Sequence, residues 1–380
     1  MADSILHVFS VPFSIPYFVG EQFDYFTKKK DNRYFVVCSP DPTLHELAVK
    51  FKFKSEPVPI NRSISPIADL KAIWFIYKLI KKERISKVVG HSPKGAMLAM
   101  LASTIAGVRH RIYFRHGIFY ETSKGLKRIA FKNIDRVSGY LASTVVCVSK
   151  GVREISDRDK LNSPLKNIIL GNGTCAGIDT AKKFNPSTYQ AVDTHQLQSE
   201  LGIGKSDLVV GFVGRIVKDK GIEDLVEAWD NVSAKNPNAK LLLIGPLEER
   251  DRISPHILSK IQATKSVIFI GEVKDTSQYY TLMHLFVLPS YREGFPTVIL
   301  EASSMEIPIV TTRVTGCIEA VNEYTGAFTS HHPNDIADKI NFYLNDTALR
   351  TEHGKNGRNF VTKNFDQVRI WEIIDRYLDI

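Results

Sequence analysis

Short apolar runs alternate with amphipathic helical stretches along the whole 380-residue chain, and that alternation leaves few folds open. In the first half, β-prone runs fall at 4–11, 34–38, 87–90, 110–114, 145–148 and 167–169. Helical patterns lie between them, near 20–29, 43–52, 67–84, 94–106, 122–142 and 150–158. The second half repeats the theme, with strands expected at 209–213, 240–244, 267–270, 285–288, 309–311 and 326–328. Strands that alternate with helices build parallel sheets through right-handed crossovers. The chain is long for a single core, so two α/β domains of ordinary size are expected. The first should span 1–178 and the second 179–366, with a hinge at 172–179, a lead-in over 181–196 and a closing helix within 367–380.

The second half carries REGFPTVILEA at 292–302, which places Glu293 and Glu301 eight residues apart. LFVLPS precedes it and reads as a strand. Pro296 suits the start of a helix, where its missing N–H is no loss. Glu293 then lies in a loop at a strand end, and Glu301 more than a turn into the helix. The N–H groups of Thr297 and Val298 face the loop and can hold an anion, with Gly294 and Phe295 forming the turn. Carboxylates at both ends of such a helix start suit a ligand with sugar hydroxyls at each end and phosphates between them, a nucleotide sugar. Taken alone, the pair is equally compatible with a plain loop and a surface glutamate.

VVGFVGRIVKDKGIEDLVEAW at 209–229 adds a second strand end. Gly214 closes the strand and Arg215 follows. Lys220 lies in a polar loop before an amphipathic helix with Ile222, Leu225, Val226 and Trp229 on one side. Open α/β sheets bind ligands at such strand ends. Arginine offers a planar fork and lysine a compact charge to phosphate oxygens, although loop cations are often merely solvated.

These segments resemble the retaining GT-B glycosyltransferases of family 4. GFVGRIVKDKG is similar to that family's donor-diphosphate loop, and EGFPTVILE to its E-x7-E signature. VVCVSKGVRE, ILGNGTCAGID and HSPKGAMLAMLASTIAGVRHRIYFRHG are similar to first-domain and hinge segments of members that extend lipid-linked bacterial polysaccharides. The resemblance implies two Rossmann-like domains facing a central cleft, with the last helix, near 371–378, returning to the first domain. It implies transfer of a sugar with retained configuration, from a nucleotide diphosphate sugar expected to be UDP-linked. Arg215 and Lys220 would hold the diphosphate with Thr297. That cationic arrangement can substitute for a divalent metal, so neither a metal nor a cofactor is expected. Glu293 would orient the sugar and Glu301 would accept from the ribose. The base would lie near Gly245, Pro246 and Val273. Domain closure about the hinge would exclude water. His116 resembles the cleft histidine that contacts the donor sugar, with a core histidine as the alternative. His91 and Lys94 could hold an acceptor phosphate, or form a plain βα turn. Arg115, Tyr120 and Glu121 are further acceptor candidates.

Charge places the partners. Residues 51–150 hold 19 Lys+Arg against 5 Asp+Glu, whereas 181–380 hold 22 against 26. A basic first half suggests an anionic partner. Two stretches favour a membrane surface. In 71–87, Ile73, Trp74, Tyr77 and Ile80 are flanked by lysines; in 121–134, Leu126, Ile129 and Ala130 alternate with Lys124, Lys127, Arg128 and Lys132. Such helices can lie among headgroups, although the first is needed to cover the sheet. No nucleic-acid-binding pattern is present. Four cysteines without paired spacing fit a reducing compartment. No signal peptide or membrane-spanning run is expected. The expected location is the inner face of the cytoplasmic membrane, with a lipid-linked saccharide as acceptor. A soluble acceptor, a nucleotide-sugar 2-epimerase and a basic polyanion-binding module are the alternatives.

Overall fold

The computed structural model describes residues 3–61, 65–189, 194–249 and 251–380; within the lead-in to the second half, 190–193 lie outside them. The chain forms two compact units, Met1–Gly177 with Val368–Ile380, and Ile178–Gln367. The first holds seven parallel strands: β1 (Ser4–Val8), β2 (Arg33–Cys38), β3 (Lys54–Pro57), β4 (Lys87–His91), β5 (His110–Arg115), β6 (Thr144–Cys147) and β7 (Asn167–Ile168). Their order is β3-β2-β1-β4-β5-β6-β7. β1 and β4 are buried along their whole length. Helices cover both faces of such a sheet, so its central strands are continuous apolar runs rather than alternating ones.

Three differences from the sequence reading have local causes. β3 was not anticipated, because its residues, KSEP, are polar and end in proline. It is an edge strand, where a missing N–H is tolerated. β1 stops at Val8 rather than residue 11. Beyond it, Ser10 turns to bond the Ser92 hydroxyl at 2.8 Å and to accept from the Gly95 N–H at 3.1 Å. Helix Pro66–Glu83 buries Asp69, Ala72, Ile76, Leu79 and Ile80. Of the apolar face expected there, only Ile80 is buried, and Trp74 is 57% exposed. The buried stripe is rotated: Ala72 and Ile76 turn inward in place of Ile73 and Trp74, and the helix packs on helix Pro93–Ile105.

From Val368 onward, helix Gln367–Leu378 belongs to the first unit. Trp371 packs 5.1 Å from the Tyr25 ring, and Asp375 pairs with Lys29 at 2.8 Å and also with Lys30.

The second unit holds β8 (Leu208–Val213), β9 (Ala239–Ile244), β10 (Val267–Gly271), β11 (Leu285–Leu288), β12 (Ile309–Thr312) and β13 (Gly326–Thr329). Their order is β10-β9-β8-β11-β12-β13. Helix Ile222–Lys235 turns Ile222, Leu225, Val226, Ala228, Trp229 and Val232 inward. In each sheet the strand order reverses once, between β1 and β4 and between β8 and β11. Loops on the two sides of such a reversal diverge and leave a crevice at the carboxyl ends of the strands.

Candidate active site

The loops after β8 and β11 meet at the second unit's reversal, and they bring the two separately recognised motifs into contact. Lys220 Nζ lies 2.5 Å from Glu293 Oε1, with both side chains largely buried. Ser290 Oγ donates to the same carboxylate oxygen at 2.7 Å. Around this pair the loops are stitched together. Arg292 binds the Asp219 carboxylate at 2.7 Å, and the Tyr291 N–H donates to the Asp219 carbonyl at 2.9 Å. Tyr291 Oη donates to Asp224 at 2.9 Å. Gly221 permits the approach: at φ +69°, a Cβ there would stand 2.2 Å from the Pro289 carbonyl oxygen. Arg215 stands at the end of β8, 37% exposed, with one guanidinium nitrogen 2.9 Å from Glu248.

Helix Thr297–Ser304 begins behind this pair, after Pro296. Its first N–H groups, at Thr297 and Val298, have no preceding turn to bond. Gly294 is pressed against Gly316, where a Cβ would stand 2.4 Å from the Gly294 carbonyl oxygen. The Phe295 ring packs 5.3 Å from Phe365, so it anchors the turn to the core. Glu301 is buried, and Tyr280 Oη donates to it at 2.8 Å. Burial pushes the Glu301 carboxyl up, against the pull of that hydrogen bond. The ends of β8, β9 and β10 carry Gly214, Gly245 and Gly271. The Gly245 N–H donates to the Gly271 carbonyl at 2.8 Å. The Pro246 carbonyl is taken by the Ile216 N–H at 2.8 Å, and Val273 packs half-buried on the core.

The first-unit candidates are placed differently. His91 is buried, with a histidine on each side: His7 Nδ1 lies 3.0 Å from its Nε2, and His116 Nε2 lies 3.0 Å from its Nδ1. Both ring nitrogens are engaged, so His91 does not touch an acceptor phosphate. Lys94 is buried against Asp69 at 2.5 Å, and the Gly95 N–H is taken by Ser10. The turn expected to bind phosphate is thus satisfied from within. Arg115 is fully buried rather than cleft-facing. It binds Asp135 at 2.8 Å, Ser156 at 2.6 Å and Asn162 at 2.9 Å, since a guanidinium without water needs every donor met. Tyr120 is buried too, its hydroxyl donating to Asp159 at 2.7 Å. Glu121 is exposed. His116 is half-buried, its ring stacked 3.6 Å from Phe18. Burial holds both His7 and His116 down at about 3. The Asp-x-Asp triplet Asp157-Arg158-Asp159 directs its carboxylates to Asn167, Tyr120 and Lys132.

Sequence reasoning missed Ser290, Asp219, Arg292 and Tyr280. The arginine opens the REGFP motif, and its position beside Glu293 was the available signal.

Comparison with known proteins decides the family. Residues 193–360 match the family of glycosyl transferases group 1, and residues 25–165 match glycosyltransferase family 4. Over 375 residues the chain is 31% identical to the capsular polysaccharide biosynthesis glycosyltransferase CapM of Staphylococcus aureus, covering 98% of this chain and 96% of that one. The chain is a family 4 glycosyltransferase. This glycosyltransferase is also 27% identical to an Escherichia coli UDP-Gal:alpha-D-GlcNAc-diphosphoundecaprenol alpha-1,3-galactosyltransferase, over 84% of this chain and 82% of the relative. The structure of HepE from Anabaena with UDP and glucose superposes with a TM-score of 0.81, at 20% identity and 100% coverage of both chains. A glycosyltransferase from Rickettsia africae superposes with a TM-score of 0.81, at 18% identity over 100% of this chain and 98% of that one. The glycosyltransferase therefore has the GT-B fold, with two Rossmann-like domains.

Proposed function

We propose that this glycosyltransferase moves a sugar from a UDP-linked donor to a polyprenyl-diphosphate-linked saccharide, with retention of configuration, at the inner face of an anionic membrane, in capsule or O-antigen assembly. The contact between Lys220 and Glu293 at the β8/β11 reversal carries this reading. Arg215, Lys220 and the helix start at Thr297 present positive charge where a departing diphosphate gathers negative charge, and electrostatic stabilisation acts most strongly there. A diphosphate draws Lys220 toward itself. Glu293, still held by Ser290, then turns a carboxylate to the hydroxyls of the donor sugar. Glu301 and the glycine strand ends receive the ribose and base. His116 donates to a sugar hydroxyl. The acceptor attacks on the face from which the diphosphate leaves, and its proton departs with that group.

The lipid-linked acceptor rests on the names of the relatives and on an outward apolar stripe. Leu126, Ile129, Val137 and Tyr140 on helix Gly125–Leu141 are exposed among Lys124, Lys127, Arg128 and Arg136. No helix among the described residues is long and apolar enough to cross a membrane, so contact through this stripe would be peripheral. The test is nucleotide release from a panel of UDP-, GDP- and TDP-sugars, with and without a short lipid-diphosphate-saccharide. Release from a UDP-sugar that depends on the acceptor supports the reading. Release without acceptor, or from a GDP- or TDP-sugar alone, overturns it.

A further inference from the structure

Three imidazoles form one hydrogen-bonded row across neighbouring strands at the first unit's reversal. His7 lies on β1, His91 ends β4 and His116 follows β5; the two N···N distances are both 3.0 Å. Phe9 stacks 4.2 Å from His91, and Phe18 stacks 3.6 Å from His116. Burial holds all three rings neutral near pH 7, and in His91 the two neighbouring histidines add to the effect.

Proton counting then fixes the row. Three neutral rings carry three protons, one each. Each of the two shared hydrogen bonds uses one proton. The third must sit at one end, on His7 Nε2 or on His116 Nδ1. His7 Nε2 is buried and has no hydrogen-bond partner among the described residues. The His7 ring sits among aromatic rings: Phe23 meets it edge-on with centroids 4.9 Å apart, and the Tyr34 ring centroid lies at 6.1 Å. A water would need two or more polar partners in such a place. An orphaned N–H there costs more than an unshared lone pair, and buried N–H groups without partners are correspondingly rare. The third proton therefore belongs on His116 Nδ1.

We propose that His7 and His91 are positioning residues that lock His116 in its Nδ1–H tautomer, so that His116 offers a hydrogen-bond donor to a sugar hydroxyl oxygen and cannot serve as a base through that nitrogen. The proposal rests on the sugar-contacting role of His116 given above. It assigns a purpose to two buried histidines that touch no ligand. The oxygen can belong to the donor sugar or to the acceptor saccharide.

The experiment is long-range proton–nitrogen correlation on the full-length enzyme carrying isotope-labelled histidine, assigned with single-histidine variants. The expected spectrum shows protonated Nδ1 and bare Nε2 on all three rings. A protonated Nε2 on His116, or a charged ring at pH 7, overturns the proposal. His91→Phe removes the bond to His116 Nε2; it is expected to release the tautomer and lower kcat about tenfold. His91→Asn, whose amide nitrogen stands where Nδ1 stood, is expected to restore both. Equal loss of rate in the two variants, with the His116 tautomer unchanged in each, would reduce the row to packing. A raised KM for the nucleotide sugar places the oxygen on the donor; a raised KM for the saccharide places it on the acceptor. The spectrum needs no turnover. A locked tautomer together with full activity in His116→Ala, which carries no donor, would therefore overturn the sugar contact while leaving the tautomer assignment standing.

Discussion

Lys220 and Glu293 are 73 positions apart, and that they meet is hidden until the sheet order is known. Their contact makes two predictions sharper than either motif does alone. Lys220→Ala should weaken UDP binding by about 1.5–3 kcal/mol, the range for a hydrogen bond to a charged group; calorimetric titration showing wild-type affinity would remove Lys220 from the diphosphate site. Glu293→Gln keeps the shape and the Ser290 contact but loses the charge. Its kcat should fall about a hundredfold while UDP affinity stays near wild type, and an unchanged turnover in the release assay would take Glu293 out of the site. The motifs were legible because a lysine before a helix and a glutamate in a Gly-Phe-Pro turn state their chemistry in sequence. Ser290, Asp219 and Tyr280 were not, because an isolated polar group gains its meaning from a partner that only the fold supplies. Arg115 shows the converse. An arginine at a strand end reads the same whether it faces a ligand or the interior. Its partners Asp135 and Asn162 stand 20 and 47 residues away. Removing the carboxylate, as in Asp135→Ala, strands a buried guanidinium, and thermal unfolding should show a loss of about 3–5 kcal/mol.

At the scale of elements, the strands were readable because parallel sheets bury continuous apolar runs, and β11 was placed at Leu285–Leu288 from that signal alone. What the pattern could not resolve was which stripe of a helix faces inward when both sides carry large apolar residues, as in helix Pro66–Glu83, and whether polar KSEP pairs at a sheet edge. The row of histidines was hidden for a related reason: β1, β4 and β5 are neighbours only through the strand order. That row makes the first unit sensitive to acid. His7 and His116 are held at about 3 in the folded chain, against about 6.5 when unfolded. Above about pH 6.5 neither state binds these protons, and their contribution to stability is fully present. As pH falls below that value the unfolded chain takes up protons that the folded chain refuses, so stability drops progressively toward the folded value. Urea midpoints should therefore fall between about pH 7.5 and pH 5, and His7→Phe should flatten the slope by about one proton. A midpoint that holds level or rises on acidification would contradict the buried, neutral row.

For the whole molecule, the uneven charge acquires a location. Of the 19 cations within 51–150, eight lie on helices Pro66–Glu83 and Gly125–Leu141, which both pack against helix Pro93–Ile105. Both helices expose apolar side chains: Ile67, Leu70 and Trp74 on the first, and on the second Leu126, which is 85% exposed, and Tyr140, which is 75% exposed. Basic groups near an anionic bilayer contribute about 1 kcal/mol each and are screened within a Debye length, whereas inserted apolar side chains are insensitive to salt. Two terms of different salt response make the membrane reading testable in one assay. Sedimentation with anionic vesicles should be strong at low salt and weaken as ionic strength rises. It should fall about tenfold or more in a Leu126→Asp, Ile129→Asp double variant at any salt concentration. Both positions are exposed, so the melting temperature should barely move, and turnover with a water-soluble acceptor analogue should be preserved. Loss of turnover with the lipid-linked acceptor alone would then tie the stripe to delivery of substrate. A double variant that sediments like the wild type would leave the basic face as solvated charge and return the acceptor to the soluble class.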